Sequence, residues 1–103
     1  MLVATFYRFT TFEDHASLQG PIEACCTAHG VRGIILLAPE GINATISGTR
    51  DGVMAVIDHL KENPRLADLT WKESEATRQP FRKMRVRLKR EIVTMGVEGI
   101  DPA

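Results

Sequence analysis

Hydrophobic and polar positions follow two different periods along this chain. Leu2 to Phe9 is rich in β-branched and aromatic residues and predicts a strand. Thr10-Thr11-Phe12-Glu13-Asp14 offers hydroxyls for capping and then acids for the positive end of a helix dipole. A helical stripe continues through Leu18, Ile22, Cys25 and His29, spaced 4, 3 and 4. Gly20-Pro21 interrupts it and predicts a kink, or a short first turn with Pro21 opening the main helix. Gly30 stands where a left-handed residue ends a helix.

Val31 to Ala38 is an almost continuous apolar run and predicts a central strand. Pro39 and Gly41 fit a type I turn with a following bulge. Ile42 to Ser47 alternates, with Ile42, Ala44 and Ile46 facing one way. Thr49 is a candidate N-cap for a helix whose apolar face is Val53, Val56, Ile57 and Leu60; Asn63-Pro64 ends it. Leu69 to Glu75, around Trp71, is a further strand. From Phe81 to Arg90, Met84, Val86 and Leu88 alternate strictly with Arg85, Arg87 and Lys89, the clearest period of two in the chain. The order β-α-β-β-α-β plus one more strand predicts an α+β, ferredoxin-like (acylphosphatase-like) fold. Such a fold is an antiparallel sheet with two helices on one face, here with an extra C-terminal strand. Residues 1–95 make the domain, and the Gly- and Pro-containing stretch 96–103 reads as the start of a linker.

Composition adds little until it is resolved along the chain. At 103 residues there is one domain's worth of core, and 44% hydrophobic with 25% charged residues is ordinary for a globular protein. No apolar run is long enough for a bilayer and no secretory leader is legible, so the expected compartment is the cytoplasm. The balanced charge, 13 bases against 13 acids, conceals segregation. Residues 1–77 hold six bases and ten acids, whereas residues 78–90 hold seven bases and no acid. Those seven are Arg78, Arg82, Lys83, Arg85, Arg87, Lys89 and Arg90. The stretch reads either as a solvated outer strand face or as a phosphate-binding stripe.

The motifs for catalysis are sparse. Cys25 and Cys26 are adjacent, late in an apolar helix, and read as free structural thiols. His15, His29 and His59 lack ligand spacing, so no metal site is expected. An acylphosphatase would need a glycine-rich phosphate loop after the first strand; residues 8–14 contain no glycine and two acids, although Asn43 could serve as that family's asparagine. In the Pro39-Glu40-Gly41-Ile42-Asn43 turn, Glu40 and Asn43 could present polar groups to a neighbouring active site. Structurally, Gly41 supplies backbone freedom and Asn43 bonds local backbone. Tyr7, Phe9 and Trp71 could stack unpaired bases or simply pack in the core or at an edge.

Three stretches carry a resemblance. They are the run from Gly33 to Gly48, containing Ala38-Pro39-Glu40-Gly41-Ile42-Asn43; the run from Pro80 to Gly96, containing Phe81-Arg82-Lys83-Met84-Arg85-Val86-Arg87; and Gly99-Ile100-Asp101-Pro102. Together they resemble the N-terminal domain of the oxygen-dependent tRNA uridine hydroxylases, the rhodanese-domain family called TrhO (formerly YceA). One departure is Ala44, where that family more often has glycine. The resemblance implies a domain preceding a rhodanese-like domain that carries the catalytic cysteine, which neither Cys25 nor Cys26 matches. It implies a parent oxidoreductase that converts the wobble uridine of tRNA to 5-hydroxyuridine with molecular oxygen as co-substrate. This chain would then be non-catalytic, with no cofactor of its own. Its partners would be tRNA, bound through phosphates by the seven cations and not read base by base, and the rhodanese-like domain of the same polypeptide. The alternative is an interdomain scaffold without RNA contact.

Overall fold

The computed structural model describes residues 1–90. Five strands and two helices appear: β1 (Leu2–Phe9), α1 (His15–Ala28), β2 (Arg32–Ala38), β3 (Gly41–Gly48), α2 (Arg50–Lys61), β4 (Lys72–Glu75) and β5 (Met84–Leu88), with a 3-10 turn at Pro64–Leu66. The sheet order is β4-β1-β3-β2-β5. The first four strands pair antiparallel, as the ferredoxin-like reading requires. The fifth departs from it, because β5 lies parallel to β2 at the edge, so the sheet is mixed. The cause is the connection: residues 76–83 cross the end of the sheet from one edge to the other. The chain therefore re-enters running the same way as β2. Backbone and side-chain bonds hold this crossing at Ala76 N to Met1 O (2.9 Å), Gln79 Nε2 to Ser47 O (3.1 Å) and Gly33 N to Lys83 O (3.1 Å).

Both helices cover one face. Alternate strand residues Leu2, Ala4, Phe6, Ile35, Leu37, Ile42, Ala44 and Ile46 are buried there with Ile22, Cys26, Val53, Val56, Ile57 and Leu60. Burying apolar surface at roughly 25 cal/mol per Å2 makes this layer the main source of stability. α2 begins as its sequence predicts: Thr49 Oγ1 accepts from the Gly52 amide at 3.0 Å. α1 runs unbroken through Pro21 instead of starting at it. Pro21 and Ser17, whose carbonyl loses its partner, are both exposed, so water can replace the missing bond. Cys26, not His29, completes the buried stripe, and His29 is exposed. Gly30 has φ 67° and closes α1 as expected.

Gly33 has φ 137°, and a Cβ there would meet Thr45 O at 2.2 Å. Only glycine lets β2 and β3 approach this closely. The β2–β3 hairpin turns over Pro39-Glu40, and its register runs without a break from Ala38↔Gly41 to Arg32↔Ser47. The expected bulge therefore does not form. The strand predicted over Leu69 to Glu75 is ordered as a strand only at Lys72–Glu75, because Leu69 turns inward to the core and is 3% exposed. The proposed linker at 96–103, and the family-like stretches beyond Arg90, lie outside the described residues.

Candidate nucleic-acid interface

With both helices on one side, the other face of the sheet carries no helix, although Leu36, Ala38 and Ser47 on it are 3%, 0% and 0% exposed and the crossing loop lies beside it. Strand alternation assigns its residues. One cross-strand row reads Lys72, Thr5, Thr45, Ile34, Arg85, and the next reads Tyr7, Asn43, Leu36, Arg87. A third reads Ser74, Val3, Ser47, Arg32. No strand position on this face carries a carboxylate. Four carry cations, and all four (Arg32, Lys72, Arg85, Arg87) are exposed. Glu73 and Glu75 of β4 belong to the opposite alternation, opposite Ala4 and Leu2. Two acids border the face: Glu40, half-buried at the hairpin tip, whose carbonyl accepts from the Thr10 amide at 2.9 Å, and Glu23 of α1, which shares a depression at the β5 edge with Lys83, Arg85 and Arg87 without an ion pair to them.

The seven cations of residues 78–90 are all exposed, and none forms an ion pair with a carboxylate among the described residues. They fall in two neighbouring groups. Arg85 and Arg87 stand on the open face, and the Lys89 amide extends the ladder by donating to Leu37 O at 2.8 Å. Arg78 and Arg82 belong to the crossing loop, where they line an open depression with Arg32. Lys83 and Arg82 join Arg85, Phe81 and Ile34 around a second depression that connects loop to strand. Arg90 follows at the edge of the described region. Val86, between the two arginines, turns the other way into the core, and its carbonyl accepts from Gln19 Nε2 at 2.6 Å. That inward anchor fixes which way the guanidinium groups face.

Three arginines away from this face are treated differently. Arg8 pairs with Asp68 at 2.8 Å and Arg50 with Glu73 at 3.4 Å. Arg65 grips both carboxylate oxygens of Asp14 (2.8 and 3.1 Å), donates to Thr11 O at 2.9 Å and lies over the Phe12 ring at 4.7 Å. Its hydrogen bonds hold the Asp14 carboxyl below its ordinary value. This clamp occupies the loop where an acylphosphatase would cradle phosphate. The Thr10 and Phe12 amides there are already spent on Glu40 O and Pro39 O.

The aromatics separate into two kinds. Tyr7 and Phe9 are 65% and 53% exposed, with ring centroids 5.8 Å apart in an edge-to-face arrangement. Both stand on the open face, not in the core. Trp71 packs against the core, and its Nε1 donates to Glu73 at 3.0 Å. Asn43, beside Tyr7, is half-buried and makes no side-chain hydrogen bond within the described residues, in place of the local backbone bond expected. Gly41, its hairpin neighbour, has φ 150° and is buried opposite Phe9. Alternation alone could have flagged Tyr7 and Phe9, since both fall out of phase with Leu2, Ala4 and Phe6.

The thiols are not activated. Burial pushes the Cys26 thiol up to about 12 and raises Cys25 as well. His29 Nδ1 lies 3.9 Å from Cys25 Sγ but only 2.9 Å from Cys25 O, so the imidazole is engaged with backbone. No cluster of three metal-ligating side chains occurs among the described residues, and no described helix is long and apolar enough to cross a membrane.

Comparison with known proteins agrees with the sheet topology and extends it. Residues 1–92 match the family model described as the UPF0176 acylphosphatase like domain. The chain is 56% identical over 98% of its length to a tRNA uridine(34) hydroxylase of Albidiferax ferrireducens, and 54% identical over 99% to one of Jannaschia sp.. It spans only about a third of those proteins, 32% and 34%. Among solved structures, the acylphosphatase from Bacillus subtilis superposes with a TM-score of 0.68 at 10% identity, covering 84% of this chain and 98% of that one. That likeness is one of fold.

Proposed function

Because this chain belongs to the family of the UPF0176 acylphosphatase-like domain, we propose that it is the N-terminal, non-catalytic part of a cytoplasmic tRNA-modifying oxidoreductase, and that it holds tRNA. In this reading the longer polypeptide hydroxylates the wobble uridine to 5-hydroxyuridine. Molecular oxygen is its co-substrate, and the chemistry falls to a rhodanese-like domain beyond this chain. The observation that carries the reading is the open sheet face with its flanking loop. Exposed guanidinium and ammonium groups are gathered there without carboxylate partners among the described residues. Such cations displace condensed counterions from a phosphate backbone, and affinity then falls steeply with salt. Phosphate contacts of this kind orient an RNA without reading its sequence.

The relatives' names support a tRNA substrate for the family. The test is titration of a tRNA anticodon stem-loop into the 103-residue chain at low and moderate salt. Binding that weakens with salt, and weakens further in Arg85→Glu/Arg87→Glu, is the expected result; absence of binding at low salt overturns the proposal.

A second reading has one observation in its favour. Tyr7 and Phe9 leave apolar surface uncovered on the open face, and about two thirds of the relatives' length lies outside the matched region and is available to cover it. A scaffold that packs on the rest of the polypeptide would use this surface. In that case Arg85→Glu/Arg87→Glu destabilises the domain packing of the full-length protein and leaves the isolated chain's RNA affinity unchanged.

A further inference from the structure

We infer that Tyr7 and Phe9 form a stacking platform for unpaired nucleobases, so that the open face takes single-stranded RNA in preference to duplex. This deepens the RNA-binding reading and rests on it. Five observations converge. The two rings are the large aromatics that the fold leaves exposed, at 65% and 53%, on the half of β1 that pairs with β3 alone, since β4 reaches only from Leu2 to Thr5. They are held against each other at 5.8 Å, which limits their rotamers and lowers the entropy lost when a base docks. The same row of the sheet continues through Asn43 and the buried Leu36 to the exposed Arg87. The Asn43 carboxamide has no partner within the described residues and can both donate to and accept from a base edge. Three strand spacings separate Tyr7 from Arg87, about 14 Å, a span that a few nucleotides of extended strand cover.

Charge decides between the possible occupants. An apolar patch alone fits a protein partner as well as a base. Here no strand position on the face carries a carboxylate, four carry cations, and the loop at its end adds Arg78, Arg82 and Lys83. Rings to stack on, beside cations to hold phosphate, are what an unpaired polynucleotide needs. A duplex hides its base faces and would use only the cations. Tyr7 and Phe9 thus supply what the basic strand by itself cannot, a preference for strand over helix.

The experiment uses the 103-residue chain and two probes of equal phosphate number, a uridine-rich single-stranded oligonucleotide and a blunt RNA duplex. Wild type is expected to bind the single strand more tightly. Tyr7→Ala and Phe9→Ala should each weaken that binding by about five- to 150-fold while leaving the duplex affinity unchanged, and Tyr7→Phe should retain it. Tyr7 is the sole tyrosine, so its ring protons give an assignable NMR signal that should shift upfield when a base stacks. If the aromatic variants bind both probes like wild type while Arg85→Glu/Arg87→Glu loses both, the platform is overturned and the phosphate reading survives. If the arginine variant also binds normally, both fail. If the aromatic variants bind RNA normally but the corresponding full-length protein loses its interdomain packing, the face is a protein docking surface and the inference is wrong.

Discussion

The two faces of this sheet are built from the same strands yet obey different rules. On β1, Leu2, Ala4 and Phe6 are 3%, 0% and 4% exposed, whereas Tyr7 and Phe9, one register step away, are more than half exposed. Two helices can cover only one face, and an antiparallel-type sheet tolerates water on the other. The covered face is therefore answerable to packing, where each side chain is constrained by its neighbours. The open face is answerable to whatever docks on it. Charge follows the same division: Arg8, Arg50 and Arg65, away from the open face, are paired with carboxylates, while Arg85 and Arg87 are not. Unpaired cations and exposed rings contribute little to folding, and their concentration on one face is what makes it a candidate site.

The contrast can be broken most forcefully by core truncation. Ile57→Ala, at a fully buried position under the sheet, is expected to cost about 2–5 kcal/mol by urea denaturation. Tyr7→Ala should stay within about 1 kcal/mol of wild type, because an exposed strand residue packs only on its neighbours. Equal losses would mean that the open face is part of the core. A smaller effect concerns binding alone. Arg85→Glu/Arg87→Glu should leave the urea midpoint nearly unmoved. Its RNA-binding salt slope should flatten by roughly 0.7–0.9 per phosphate contact removed. An unchanged slope with reduced affinity would point to stacking without phosphate contact.

The smallest effect lies at the start of α1. Asp14 is held below its ordinary value of 3.8 chiefly by the Arg65 hydrogen bonds. A depressed carboxyl stabilises the fold above that ordinary value, and the contribution disappears as pH falls through the lower folded value. Asp14→Asn should thus be slightly less stable than wild type at pH 7 and indistinguishable from it near pH 2. The pair is exposed, so the difference is small. A large difference at pH 7 would mean that the clamp on residues 11–14 governs the covered face.

Much of this was legible in advance, and for local reasons. The Thr49 cap, the left-handed Gly30 and the buried stripe Val53, Val56, Ile57, Leu60 depend on residues within one or two turns of each other. The alternation of Arg85 and Arg87 with Val86 was equally readable, since a period of two needs no partner strand to be recognised. Where local reading failed, the missing information was distant. Cys26 in place of His29 depends on where α1 meets the sheet, and the intact helix across Pro21 depends on which side faces water.

The amino-acid sequence by itself determined the order of elements, the phase of the strands around Ile42–Ser47 and Met84–Lys89, and the concentration of seven of its thirteen bases in residues 78–90. It could not say which phase would be covered, because that depends on where two helices pack. Nor could it direct β5 to the edge beside β2, parallel, since that follows from a loop bonded at Ser47 and Gly33, more than thirty residues away along the chain. Periodicity belongs to single segments, whereas exposure belongs to the assembled layers. Only the assembled layers left Tyr7, Phe9, Arg85 and Arg87 uncovered on one face.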